Sequence, residues 1–329
     1  MTAPYRVFVT RVLPGNGFAE LLEDPAFDLD VWPVDFPPTR DELLEHVVGV
    51  DALVCLITDT IDSAVLDAAG EQLKVVSQMA VGVDNVDVAA CSARGIPVGN
   101  TPGVLTETTA DMAWALILSS ARRVVEAAEY VKDGEWKTWT PTQMAGVDVF
   151  GSTLGIVGFG AIGQAIARRA QGFGMRVLCW NRTPRPEEAA AVGAEQCGFD
   201  DVLSQSDFVC VSIALTDDTR QLIDARAFEL MKPGAILVNT ARGPIVDEAA
   251  LVSALEAGQI GGAGLDVTAI EPLAMDSPLL TMPNVVVLPH IGSASLATRG
   301  KMADIAVANL RAGLAGEPLP HSVSLAVDG

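Results

Sequence analysis

Gly158, Gly160 and Gly163 stand between an apolar run read as a strand over 153–158 and a helical run over 161–173. A glycine triplet is weak evidence in a chain with 30 glycines among 329 residues. Its placement is what constrains the fold. The first glycine permits a tight turn, the second lets backbone approach a pyrophosphate, and the third lets helix pack against strand. The helix start then offers unpaired N–H groups to phosphate oxygens. A second apolar run, RVLCWN, follows about 30 residues after the unit begins. This stretch must therefore form part of a parallel α/β sheet that binds a dinucleotide.

The remaining sequence extends that pattern. DFVCVSIA, AILVNTA, GAGLDV and NVVVLP read as further strands, with helices such as DEAALVSALEAG between them, giving a doubly wound sheet of six or seven strands. Upstream, YRVFVTRV, DALVCLIT, KVVSQMAV and IPVGNT alternate with helical runs TRDELLEHVV and SAVLDAAGEQ, both read with acidic first turns. This block is a second α/β unit without the glycine triplet. Residues 106–131 have helical spacing with no Gly or Pro and predict one long helix, buried in its middle. The Pro and Gly of Asn100-Thr101-Pro102-Gly103 mark the crossing between units. After position 293 comes another helical run, LATRGKMADIAVANLRAGLAG, expected to return to the first unit. The expected division is 1–101 with 294–329, and 102–293.

Charge and cysteines narrow the function classes. A net charge of −21 argues against nucleic acid and anionic membrane partners, so an anionic substrate needs local basic groups. No apolar run approaches the ~20 residues of a membrane span, and MTAPYRVFVTRVLPG lacks a signal-peptide pattern. The five cysteines, Cys55, Cys91, Cys179, Cys197 and Cys210, show no C-x-x-C spacing. Neither a disulfide framework nor a metal site is expected, and a reducing cytoplasm fits.

The strand after the glycine turn bears on cofactor choice. A carboxylate about 20 residues past the glycines would hold the ribose 2′-OH of NAD. Here that strand ends in Asn181-Arg182-Thr183, with Arg185 nearby. These side chains can donate to a 2′-phosphate, where an acid would repel one. NADP(H) is the expected preference, with NAD(H) possible. The alternative is that Arg182 only solvates a strand end.

Three downstream segments supply the chemistry: NTARGPIVDEAAL (239–251), GLDVTAIEP (264–272) and LPHIGSAS (288–295). The guanidinium of Arg242 can grip a carboxylate with two parallel hydrogen bonds. The imidazole of His290 can give a proton to a carbonyl oxygen as it becomes an alcohol. A neighbouring carboxylate, Glu271, favours an imidazolium. Of the three histidines, His46 lies in a helical run and His321 among C-terminal prolines. His290 ends an apolar strand, at the sheet edge where α/β proteins bind ligands.

With these motifs in order, the chain resembles the D-isomer-specific 2-hydroxyacid dehydrogenase family over essentially its whole length. It is most similar to the glyoxylate/hydroxypyruvate reductase branch, which includes 2-ketogluconate reductases. VGVDNVD (81–87), NTPGVLTETTAD (100–111), GIVGFGAIG (155–163), NTARGPIVDE (239–248), GLDV…EP (264–272) and PHIGSAS (289–295) carry the likeness. It implies a Rossmann doubly wound nucleotide domain plus a flavodoxin-like α/β substrate domain. It also implies Arg242, Glu271 and His290 as catalytic residues, with Val81 and Gly82 holding the substrate carboxylate through backbone N–H groups. Asp266 matches a position near the nicotinamide, and Ala161, Ile162, Thr240, Ala241 and Gly292 match positions lining the cofactor. Two departures are Ser212, where a histidine or asparagine is common, and Ala214, where a proline is common.

The reaction so implied is NADPH-dependent reduction of small 2-oxo acids. Two alternatives remain: an NAD-dependent D-3-phosphoglycerate-type dehydrogenase, and a non-enzymatic, dinucleotide-sensing corepressor. The first is disfavoured because position 181 carries no acid, no regulatory domain follows, and Met79 and Ala80 offer no cation for a phosphate. For the second, no recognition tail is evident. A homodimer is expected, since helix 106–131 and GEWKTWTPTQM (134–144) carry more apolar surface than one chain can cover. The resemblance makes Trp139 the candidate to reach a neighbour's pocket.

Overall fold

The computed structural model describes residues 3–323, so the ends of the expected first domain, 1–2 and 324–329, lie outside the described residues. The chain divides into two compact units, one running up to Leu105 and resuming at Ala294, the other Thr106–Ser293.

The first unit holds a parallel sheet of β1 (Tyr5–Val9), β2 (Phe27–Val31), β3 (Ala52–Cys55), β4 (Val75–Gln78) and β5 (Val98–Gly99), in the order β2-β1-β3-β4-β5. That is the flavodoxin-like order. The strand β2 has no counterpart in the apolar-run reading. Its half-buried Phe27, Leu29 and Val31 alternate with exposed Asp28 and Asp30, because it is an edge strand with one wet face. One sheet face packs Phe8, Leu53, Val76 and Val98 with the helix side chains Leu43, Val65 and Leu66. The intervening β4 residues face the helix Leu296–Ala315, where Ser77 Oγ donates to Ala306 O at 2.8 Å. Gly313 lies so close to Val75 that a Cβ there would be 2.5 Å from the valine side chain.

Local signals start the helices. Thr39 and Glu42 form a reciprocal capping box on Arg40–His46. The helix Ser63–Ala69 differs from expectation: it has no acid in its first turn, and Asp62 caps it from outside.

The second unit holds seven parallel strands: β6 (Thr153–Val157), β7 (Arg176–Trp180), β8 (Ala194–Gln196), β9 (Phe208–Val211), β10 (Ile236–Asn239), β11 (Gly262–Leu265) and β12 (Val285–Val287). Their order, β12-β11-β10-β9-β6-β7-β8, reverses direction between β6 and β9. This is the Rossmann arrangement, whose ligand crevice opens at that switch point. Apolar clusters cover both faces, one around Trp114, Ile117, Ile156 and Ile166, the other around Phe228, Leu237 and Leu251.

The single helix expected over 106–131 is two helices, Thr106–Ala121 and Val124–Lys132. Val147 N donates to Ala121 O at 2.9 Å, taking the carbonyl a continuing helix would use. Arg123 then adopts a left-handed φ of 52°. The first helix is buried against its own unit, with Trp114 stacked on Phe173 and donating Nε1 to Ile166 O at 3.1 Å. The second helix buries no residue.

Candidate active site

Arg242, Glu271 and His290 come from the loops after β10, β11 and β12, the three neighbouring strands at one side of the sheet. Parallel strands bring their carboxyl ends to one edge, so residues far apart in sequence converge. Asn239, 1% exposed at the end of β10, organises the first loop. Its Oδ1 accepts from Ala241 N at 3.0 Å and its Nδ2 donates to Arg242 O at 2.9 Å. Arg242 Nη1 donates to Ala241 O at 2.9 Å. The next residue, Gly243, passes so close to the loop bearing Glu271 that a Cβ would overlap the Thr268 carbonyl.

Glu271 Oε1 accepts from Thr268 N at 3.2 Å, and Oε2 lies 2.8 Å from His290 Nδ1. Burial pushes the Glu271 carboxyl up, but the hydrogen bond and charge of His290, the Thr268 N–H and the charge of Arg242 outweigh it. The group is held below its ordinary value of 4.5. Glu271 is thus an anion that accepts from Nδ1–H, which directs Nε2 of the ring away from the carboxylate.

His290 has a left-handed backbone, φ 54°, which costs a non-glycine residue on the order of 1–3 kcal/mol and needs support from its surroundings. Asp266 provides it. Buried to 1% exposure, Asp266 accepts through Oδ1 from Ile291 N and through Oδ2 from Gly292 N, each at 2.7 Å. Its carbonyl accepts from His290 N at 2.9 Å. A side chain at position 292 would press a Cβ to 2.9 Å from Asp266 Oδ2.

The glycine turn fits a dinucleotide. Gly158 has φ 97°, and a Cβ there would lie 2.5 Å from Ile213 N; one at Gly163 would overlap Gly158 O. A Cβ at Gly160 would meet nothing within 4 Å, so backbone is open to a ligand there. Ala161 and Ile162 begin the helix Ala161–Ala170, whose start has no side-chain cap. Two buried hydroxyls without a hydrogen-bond partner, Ser212 Oγ and Thr240 Oγ1, follow the ends of β9 and β10. Asn181 latches this region: Oδ1 accepts from Phe159 N at 2.9 Å, and Nδ2 donates to Thr183 O at 2.7 Å. Arg182 is about half exposed, with Nη1 3.7 Å from Asp218 Oδ2.

The profile of the D-isomer specific 2-hydroxyacid dehydrogenase NAD-binding domain matches residues 114–292. The chain belongs to the D-isomer specific 2-hydroxyacid dehydrogenase family. It is 49% identical over 320 residues to a glyoxylate reductase of Korarchaeum cryptofilum, covering 97% of this chain and 96% of that protein. A crystal structure of a Thermus thermophilus protein superposes with a TM-score of 0.91 at 47% identity, covering 97% of this chain and 100% of that one. An NADPH-dependent glyoxylate/hydroxypyruvate reductase from Sinorhizobium meliloti, solved with citrate, gives 0.78 at 32% identity and 97% coverage of both chains. The protein is an NAD(P)-dependent oxidoreductase of the 2-hydroxyacid class with a nicotinamide dinucleotide cofactor.

The second unit therefore brings together Arg242, Glu271 and His290, and carries Asp266, Gly292 and the glycine turn. Val81 and Gly82 lie in the first unit, in the turn after β4. Trp139 is 77% exposed in the segment after Val124–Lys132. Sequence reasoning missed Asn239, although NTARG displays it, because an asparagine is equally at home in a solvated turn. It also missed the grip of Asp266 on two backbone N–H groups, which no local spacing reveals. Among the described residues no helix is long and apolar enough to cross a membrane.

Proposed function

We propose that the protein reduces small 2-oxo acids such as glyoxylate or hydroxypyruvate to D-2-hydroxy acids, with NADPH preferred over NADH. The observation that carries this reading is the 2.8 Å pairing of His290 Nδ1 with an ionised Glu271, beside the charge of Arg242. The named activities of the relatives support the substrate class.

The reduced nicotinamide, when bound, supplies the hydride to C2. Arg242 orients the substrate carboxylate and stabilises charge growing on the carbonyl oxygen. Nε2–H of His290 donates the proton that quenches it, while Glu271 steadies the imidazolium from the other side. In the oxidative direction Nε2 is the base. By the family resemblance, the N–H groups of Val81 and Gly82 also serve as donors to the substrate carboxylate. Gly158, Gly160, Gly163, Ala161 and Ile162 cradle the pyrophosphate, and Thr240, Ala241, Asp266 and Gly292 line the nicotinamide side. Asn181, Arg182 and Thr183 receive the adenosine ribose, where the missing carboxylate supports NADPH. Five free cysteines and the acidic surface suit a cytoplasmic enzyme. Initial rates on a panel of 2-oxo acids with NADPH and with NADH test the whole reading. Turnover of none of them, or preference for NADH, overturns the corresponding part.

A further inference from the structure

The turn after β4 is tied to the far end of the first unit by a chain of hydrogen bonds. Ala80 O accepts from Thr101 N at 2.8 Å, and Val81 O accepts from Asn100 Nδ2 at 2.8 Å. In a planar trans peptide a carbonyl and the N–H that follows it point in opposite directions. Holding the Ala80 carbonyl therefore aims the Val81 N–H, and holding the Val81 carbonyl aims the Gly82 N–H. Both point away from the 100–101 segment.

Asn100 is itself held. Asn309, fully buried on the helix Leu296–Ala315, donates Nδ2 to Asn100 O at 3.0 Å. Its Oδ1 accepts from His321 N at 3.0 Å, and His321 O accepts from Asn100 N at 3.1 Å. The seat for Asn309 requires glycine at 99, since a Cβ there would come within 2.7 Å of the amide. An asparagine suits this place because one short side chain supplies both a donor and an acceptor.

We infer that Asn100 and Asn309 are positioning residues for carboxylate binding: Asn100 orients the Gly82 N–H of the Val81–Gly82 pair, and Asn309 holds Asn100 from the returning helix. This rests on the reading that the Val81–Gly82 turn receives the substrate carboxylate. Neither asparagine touches the reacting atoms.

Asn100→Ala and Asn309→Asp, the latter keeping the acceptor for His321 and losing the donor, are measured for KM, kcat and NADPH Kd. Each variant should raise KM for the 2-oxo acid about tenfold, the effect of one hydrogen bond, with kcat and NADPH Kd within about twofold of wild type. Partial unfolding would instead lower apparent kcat and leave KM unchanged. Unchanged KM in both variants overturns the inference if Gly82→Pro, which removes the second N–H, still raises KM. If Gly82→Pro also leaves KM unchanged, the reading of the turn as the carboxylate site fails, and the inference with it.

Discussion

His290 Nδ1 lies 2.8 Å from Glu271 Oε2, and the backbone that carries this histidine is held in a left-handed turn by Asp266. The ring is thus restrained from two sides: its orientation by a carboxylate, its place on the chain by a buried aspartate. A proton donor needs both, because proton transfer depends on heavy-atom distances within hydrogen-bond reach.

Replacing His290 with glutamine keeps a polar side chain and removes the imidazole ring. His290→Gln should lower kcat by about two to four orders of magnitude, the usual contribution of a general acid, with NADPH affinity nearly intact. Steady-state rates and a fluorescence titration check this; turnover like wild type would remove His290 from the chemistry.

Glu271 makes a pH-dependent contribution to stability. Its carboxyl is held below the ordinary 4.5, so the folded state favours the anion. That stability is fully present above the unfolded-state value and is lost as pH falls through the lower folded-state value. The Tm advantage of wild type over Glu271→Gln should shrink as pH falls below about 4.5. An advantage that still grows as pH falls below about 4 would contradict the ion pair.

Arg182 is expected to select NADPH. One charge-assisted contact to a 2′-phosphate is worth roughly 1.5–3 kcal/mol, or about ten- to a hundredfold in affinity. Arg182→Ala should raise KM for NADPH by that order and leave NADH almost unchanged. Asn181→Asp should weaken NADPH by repulsion and favour NADH by accepting from its ribose 2′-OH, partly offset by loss of the donor to Thr183 O. Equal weakening of both cofactors by Arg182→Ala would overturn the NADP reading.

The protein is expected to be a dimer. Val124 and Val131 on the second helix are about half exposed, and Trp136 and Trp139 are 59% and 77% exposed. The surface to be covered is this helix and the segment after it, because Thr106–Ala121 is already buried in its own unit. Sedimentation equilibrium should give twice the chain mass, and Trp139→Ala should raise KM for the 2-oxo acid. A fully active monomer would refute this.

Periodicity, glycine placement and cap chemistry are local properties, and they made both α/β units and the dinucleotide turn legible in the chain itself, while side-chain chemistry and the family resemblance singled out Arg242, Glu271 and His290. Each local property depends on neighbours within a few positions, so a linear reading captures it. The edge strand β2 escaped because its two aspartates face water and dilute the apolar signal. The break at Arg123 escaped because the carbonyl it frees is taken by Val147, far along the chain. The pairing of Glu271 with His290, the hold of Asp266 on the Ile291 and Gly292 N–H groups, and the reach of Asn309 to Asn100 were decided only by tertiary structure. Strand order and helix packing set which distant side chains meet, and hydrogen bonds form only between groups brought within about 3 Å.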